Sequence, residues 1–445
     1  MKKSMLLFAV MAFSATALVG CNKTTYDVTL SVWGGEEDQT FLKEVSDSFI
    51  EKVHAEEKAA GEKEKSFSFT FVAHSESNVK DDVTKDPNAA GDVIAIADDQ
   101  LSDFVTAGDA QKIADIDSDV AADVIKRNSA SSVAVSKINN DLYAMPFTPN
   151  GFFLYYDSSV LSATDVTSFE GLLSALVEKN KTSTIKYKFS WPTASGWYLG
   201  GYMDSFGLTA TVDSATSKTV CNWNAKTTSE TVKVTGLQAS EAFMKLSQGA
   251  YKDVFLSQAD AAFASDVSRT NDYRIVAGIN GLWNAAAVKT AWKTGYAATK
   301  LPSVTIGTTA YQLHAVQGAK LQMVNAFSKN VGWAVKFADY LTGKEMQAKR
   351  FNDRLTPPTN TEASASLDLS SEPSAAALVA QAPYAFAQKV SGAFWTPSGA
   401  LSTALETGLS GSDKLVTSGA GTTDLVFDET TIQKVLDTTV TTITA

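Results

Sequence analysis

Two pairs of carboxylates carry the first chemical signal in this chain. Glu36-Glu37 follow Trp33-Gly34-Gly35, and Asp98-Asp99 follow the apolar run 93–96. Carboxylates some ~5–10 Å apart across a glycosidic bond can cleave it, one as acid and one as base or nucleophile. The same groups, left ionised, accept hydrogen bonds from hydroxyls. Glu36, Glu37 and Asp99 are the candidates for either role, and capping of a following helix is the plain structural alternative for each.

Aromatic residues narrow the choice. Trp33, Trp197, Tyr198, Trp283 and Trp395 fall on predicted loops or helix starts, where an indole or phenol face is hard to bury. The flat C–H faces of sugar rings stack on such groups, each contact contributing on the order of 1 kcal/mol. Several platforms with a few acids suit a neutral oligosaccharide. Trp292 and Trp333 lie in helical patterns and are assigned to core packing.

Other chemistries find no support. Ser183 to Lys186 is a Ser-x-x-Lys without its companion motifs. His54, His74 and His314 are too dispersed for metal spacing, so no metal is expected. Gly419-Ala420-Gly421 fails as a dinucleotide fingerprint because Asp424 stands where a third glycine belongs. No phosphate loop occurs, and no cofactor is expected.

The elements that must hold these residues read as α/β layers. Val28, Leu30 and Val32 alternate into Trp33 as a first strand, and Asp38 is placed to cap a helix striped by Phe41, Leu42, Val45, Phe49 and Val53. Phe67, Phe69 and Phe71 form a second strand and 92–96 a third, followed by a helix to Thr106. Strand and helix in alternation imply parallel pairing, with ligands at the carboxyl ends of strands, where both acid pairs sit. Next comes 143–157, YAMPFTPNGFFLYYD: Pro146 and Pro149 forbid a helix, and 152–156 reads as a central parallel strand buried on both faces. This is a predicted hinge, where the chain leaves one body for another.

Beyond it, 167–170 is a capping box opening a helix to Val177, 185–190 a strand, and 208–233 an edge hairpin. Residues 238–248 and 256–264 are expected to be helical, and 274–279, 296–304 and 310–325 to be strands. Trp333, Phe337 and Leu341 stripe a long helix toward Phe351, and 361–374 reads as a Ser-rich linker before two or three final helices.

In order and spacing, this chain resembles the extracellular solute-binding proteins of ABC importers, in the maltose-binding class and in the lipoprotein form of Gram-positive bacteria. The resemblance rests on Val32-Trp33-Gly34-Gly35-Glu36-Glu37, Gly91-Asp92-Val93-Ile94 with Asp98-Asp99, Tyr155-Tyr156-Asp157, Ile279-Asn280-Gly281-Leu282-Trp283, Leu301-Pro302, 325–330, Leu341-Thr342 and Ala393-Phe394-Trp395. It implies an α/β, two-lobed fold of the type II periplasmic-binding-protein kind with hinge crossings. One lobe would comprise 27–146 plus 318–351 and the other 147–317 plus 352–445. It also implies a binder of maltose or malto-oligosaccharides, with no catalysis, serving permease subunits and expected to be a monomer. The acids would come from the first lobe, and Trp197, Tyr198, Trp283 and Trp395 from the second. Gln100 stands where maltose binders commonly carry an arginine, and the neighbourhood of Asn150 replaces a hinge-side glutamate, so other oligosaccharides remain open. A surface glycoside hydrolase and a glycan-binding adhesin are the alternatives.

The first residues point outside the cell. Lys2-Lys3 and the apolar run 5–19 make a signal peptide over 1–20, ending in Leu18-Val19-Gly20-Cys21, a lipobox that marks Cys21 for lipidation by palmitate-type chains. Residues 21–26 would then be a tether, anchoring the protein to the outer face of the cell membrane. Removing Lys2 and Lys3 takes the formal charge from −11 to −13, which argues against nucleic acid and against charge-driven adhesion to anionic lipid. Only Cys21 and Cys221 exist, so a lipidated Cys21 leaves no internal disulfide.

Overall fold

A computed structural model describes residues 25–445 apart from 75, 214, 215, 217, 388, 409–413 and 419–424. The expected signal peptide and Cys21, like the 419–424 glycine motif, lie outside the described residues. Among those described, no helix is long and apolar enough to cross a membrane.

The chain is α/β, built on one path of paired strands. In space the order is Phe255–Ser257, Lys186–Trp191, Tyr273–Gly281, Ala144–Asp157, Ala315–Val324, Val93–Ala97, Val28–Gly34, Phe67–Ala73, with Tyr296–Thr299 beside Ala144–Asp157. The outer strands pair in parallel: Val28–Gly34 with both Phe67–Ala73 and Val93–Ala97, and Lys186–Trp191 with both Phe255–Ser257 and Tyr273–Gly281.

The two central strands cross between bodies. Ala144–Asp157 pairs with Ala315–Val324 from Ala144 to Gly151, then with Tyr273–Gly281 from Phe152 onward. Phe153, Leu154 and Tyr155 are fully buried, as the apolar run required, but every pairing of this strand is antiparallel, not parallel. The expectation failed because burial on both faces does not fix direction; helices cover antiparallel strands equally well. Pro146 and Pro149 lack a donor, and the ladder shifts register between Lys320 and Leu321 where they face it.

Two sets of buried side chains lie on either side of the crossing. One gathers Val28, Leu30, Phe41, Val45, Phe49, Met145, Phe147, Phe337 and Leu341. The other gathers Phe152, Phe169, Phe189, Trp191, Tyr198, Tyr202, Trp223, Phe243 and Phe394. Trp292 and Trp333 pack into cores as expected. A third passage of the chain follows the helix Lys344–Arg354. Ser129 N–H donates to Thr359 carbonyl and Thr361 Oγ1 to Arg127 carbonyl, so residues just past 354 still pack on the first body.

Several local expectations are corrected. The long helix breaks at Thr342-Gly343 into Val331–Leu341 and Lys344–Arg354. The Ser-rich 361–374 stretch contains the helix Thr361–Ser366, capped by Asn360, because that cap and a buried Ala363 outweigh serine's weak propensity. At 167–170 Ser168 caps Phe169–Asn180, while the Glu170 carboxylate accepts from Thr305 N–H instead of closing a box. The predicted 256–264 helix is a short strand, a turn over Asp260–Ala262 and the helix Phe263–Asp266. Asp38 makes no cap hydrogen bond; it is buried against Arg350.

Candidate functional site

One local device recurs where strands end. Val28–Gly34 runs into a 3-10 turn at Glu36–Asp38, and Val93–Ala97 into one at Asp98–Gln100. In the second body Phe255–Ser257 is followed by the turn Asp260–Ala262, and Tyr273–Gly281 by Leu282–Asn284. Each turn starts a helix, so its polar residues are lifted out of the sheet at the strand's carboxyl end. All four turns face a single cleft of about 670 Å³.

From the first body the cleft is lined by Glu36, Glu37, His74, Asp98 and Asp99, and from the second by Trp197, Asp260, Trp283, Asn284 and Trp395. The crossing strands supply Asn150, Gly318 and Lys320. Asp98 is tied to the crossing, since its Oδ1 accepts from Ala319 N–H (3.1 Å). A Cβ on Gly318 would lie only 2.1 Å from that carboxylate, so the close approach requires glycine.

Of the residues expected at the site, Glu36, Glu37, Asp99, Asn150, Trp197, Trp283 and Trp395 line this cleft. Trp33 and Tyr198 do not. The Trp33 indole stacks on His74 at 4.6 Å and 9°, so His74 presents to the cleft and Trp33 backs it. Tyr198 is 2 % exposed, packed against Phe152, and donates its hydroxyl to Asp260 Oδ1 (3.0 Å). A helix start expected to be open is closed over by the second core, which local sequence does not encode.

Asp260 is the acid that the sequence reading missed. Asn280 Nδ2 donates to the same oxygen (2.7 Å), and Asn284 Nδ2 donates in turn to Asn280 Oδ1 (2.6 Å). Burial pushes the Asp260 carboxyl above its ordinary value, against the pull of hydrogen bonds from Tyr198 and Asn280 and of the Lys320 charge. The Trp283 ring rests on Gly281, where a Cβ would lie 2.0 Å from it, and its centroid is 5.8 Å from that of Trp197. The Nζ of Lys320 lies 5.6 Å from the Trp283 ring centre. Trp395 meets Phe394 edge-on.

Beneath the first acid pair lies a buried ion pair. Arg350 donates from Nη2 to Asp38 Oδ2 (2.8 Å), from Nε to Asp38 Oδ1 (3.2 Å) and from Nη1 to Thr148 Oγ1 (2.9 Å) on the crossing strand. Arg354 donates to the Glu37 carbonyl and to Asp38 Oδ1. The Glu36-Glu37 turn is thus bolted to the hinge.

The chain matches the model of the bacterial extracellular solute-binding protein family over residues 59–377. It belongs to that family. No curated protein matches at a significant level. A solved structure described as "with acarbose" aligns over 94% of this chain and 98% of its own, at 26% identity and a TM-score of 0.73. The maltodextrin binding protein MalE1 from L. casei BL23, without ligand, aligns over 94% and 99% at 20% identity and TM-score 0.69. The Thermus thermophilus maltotriose binding protein bound with maltotriose aligns over 93% and 99% at 18% identity and TM-score 0.67.

These matches give this solute-binding protein a two-lobed architecture like that of its structural neighbours. Within it, the crossing strands are the joint and the cleft lies between the bodies. Among its described residues no group of three or more His, Cys, Asp or Glu could hold a metal ion. Cys221 is buried, and burial pushes its thiol up to about 11, so it is an inert core residue.

Proposed function

We propose that this protein captures a neutral oligosaccharide, with maltose and malto-oligosaccharides the first choice, and delivers it to the permease of an ABC importer. The reading rests above all on one arrangement: strand-end carboxylates of one body confront three tryptophans of the other across a single cleft. Carboxylates accept hydrogen bonds from hydroxyls, and indoles stack on the C–H faces between them. The solved neighbours described with acarbose and with maltotriose support the same ligand class.

Binding works by closure. A ligand touching both bodies adds contacts that the open state lacks, and so shifts the population toward the closed one. The lobes divide at the crossing strands, the protein acts as a monomer without catalysis, and lipid on Cys21 holds it at the outer face of the membrane. An affinity near ~1 μM corresponds to about −8 kcal/mol.

The test is a thermal-shift and calorimetric screen against maltose, longer malto-oligosaccharides, xylo-oligosaccharides and fructo-oligosaccharides, with small-angle scattering on the best binder. A malto-oligosaccharide should bind one to one, raise the melting temperature and contract the particle. Tight binding of another series alone would replace the ligand assignment. Binding without contraction would sink the closure mechanism and favour an adhesin.

A further inference from the structure

The cleft's one lysine or arginine among the described lining residues is Lys320, set against five carboxylates: Glu36, Glu37, Asp98, Asp99 and Asp260. Its backbone belongs to the first body's side of the crossing, in register with Ala97 and Thr148. Its side chain reaches the second body, with the ammonium 5.6 Å from the Trp283 ring centre. Asp260 lines the same cleft, where the Lys320 charge favours its ionised form. Trp283 lines the cleft too, and Asn280 and Tyr198 fix the Asp260 carboxylate from behind.

An aromatic face beside a carboxylate is what recognises an ammonium ion: the ring quadrupole attracts the cation and the acid neutralises it. Here that place is already filled from within the chain. We propose that Lys320 is a specificity-determining residue, a tethered ammonium occupying the cation site made by Trp283 and Asp260, so that the cleft takes uncharged glycans. A glycan amine arriving there meets a like charge, and a glycan carboxylate meets five acids. Exclusion on both sides needs only this one cation. The part concerning glycans rests on the functional reading above, whereas the ammonium site stands on its own residues.

The experiment begins with Lys320→Ala, which vacates the site, probed with ethylammonium chloride and read by tryptophan fluorescence. A saturable response at roughly millimolar concentration is expected, about −4 kcal/mol. Wild type and the Lys320→Ala/Asp260→Asn double variant, which keeps the reporting indole but loses the acid, should give none. No saturable response in a Lys320→Ala protein with native circular dichroism overturns the proposal. Lys320→Met, which keeps the stem and loses the charge, provides the second arm. Calorimetry would compare maltotriose with 6-amino-6-deoxymaltotriose. Wild type should favour the neutral sugar by about tenfold, and Lys320→Met should erase that preference, with the amine's affinity falling as salt rises. An unchanged ranking overturns the proposal. Wild type that binds no neutral oligosaccharide would instead refute the functional reading, leaving the ethylammonium result to decide on Lys320.

Discussion

Replacing Arg350 with methionine tests whether the acid turn is held from below. The guanidinium makes two hydrogen bonds to Asp38, one to Thr148, and lies 4.3 Å from the Phe147 ring centre. Asp38 is 8 % exposed and Arg350 4 %, so the change strands a carboxylate away from water. Removing one partner of a buried pair costs about 3–5 kcal/mol. Arg354 still reaches Asp38 Oδ1 at 3.2 Å, so the low end, near ~3 kcal/mol, is expected. At about 1 °C per kcal/mol for a chain of this size, the melting temperature should fall by roughly 3 °C. The companion variant Asp38→Leu/Arg350→Met removes both charges and should recover much of the loss, because apolar replacement of a whole buried pair is often neutral. A double-mutant cycle by denaturant unfolding reads the coupling. Additivity within about 0.5 kcal/mol would refute the reasoning.

The same pair predicts a pH signature. Burial works to raise the Asp38 carboxyl, but Arg350 first, then Arg354 and Lys320, overcome it and hold the carboxyl below its ordinary value. A carboxyl depressed by folding contributes stability that is complete above the unfolded-state pKa of about 3.9 and is lost as pH falls through the folded value. The stability gap between wild type and Arg350→Met should therefore be largest at neutral pH and shrink as pH falls, first as the variant's stranded carboxyl takes up a proton and then as wild-type Asp38 does so below about 4. A gap independent of pH through that window would mean that Arg350 acts by packing on Phe147 and not by charge.

Trp395→Ala and Trp283→Ala should each weaken oligosaccharide binding by about tenfold or more, measured by calorimetry; unchanged affinity in both removes the proposed platforms. Asp260→Asn keeps the shape but removes a charge from the cleft and weakens the acceptor that holds Tyr198 and Asn280, so affinity should drop by roughly threefold to tenfold. Cys21→Ser should release the protein into the medium with its sugar affinity intact, and retention at the membrane would defeat the anchor. Incubation with native and chromogenic oligosaccharides should yield stoichiometric binding and no product; turnover abolished in Glu36→Gln or Asp99→Asn would instead establish a glycoside hydrolase.

The first body's half of the candidate cleft is legible because its signals are local. Alternating Val28, Leu30 and Val32, cut off by Gly34-Gly35, fixes both a strand end and the acids beyond it, and the run before Asp98-Asp99 does the same. Pro146 and Pro149 announced an irregular crossing for an equally local reason, their missing donors. What stayed hidden depends on distant packing. Tyr198 looked open and is sealed by Phe152 and the second core; Trp33 looked like a platform and supports His74. Asp260 was lost inside 256–264, whose Leu, Ala and Phe spacing mimics a helix. Yet Phe255–Ser257 followed by an acid repeats the pattern that revealed Glu36 and Asp98, so the same rule applied to a shorter strand would have found it. Lys320 had no such signal, being one charge within the strand Ala315–Val324. Its meaning arises only because the strand crosses between bodies, placing a first-body ammonium over a second-body indole. Strand-end turns can therefore be read along the chain, whereas the choice of which turns face each other is made by the crossing, and selectivity in this cleft is decided by that choice.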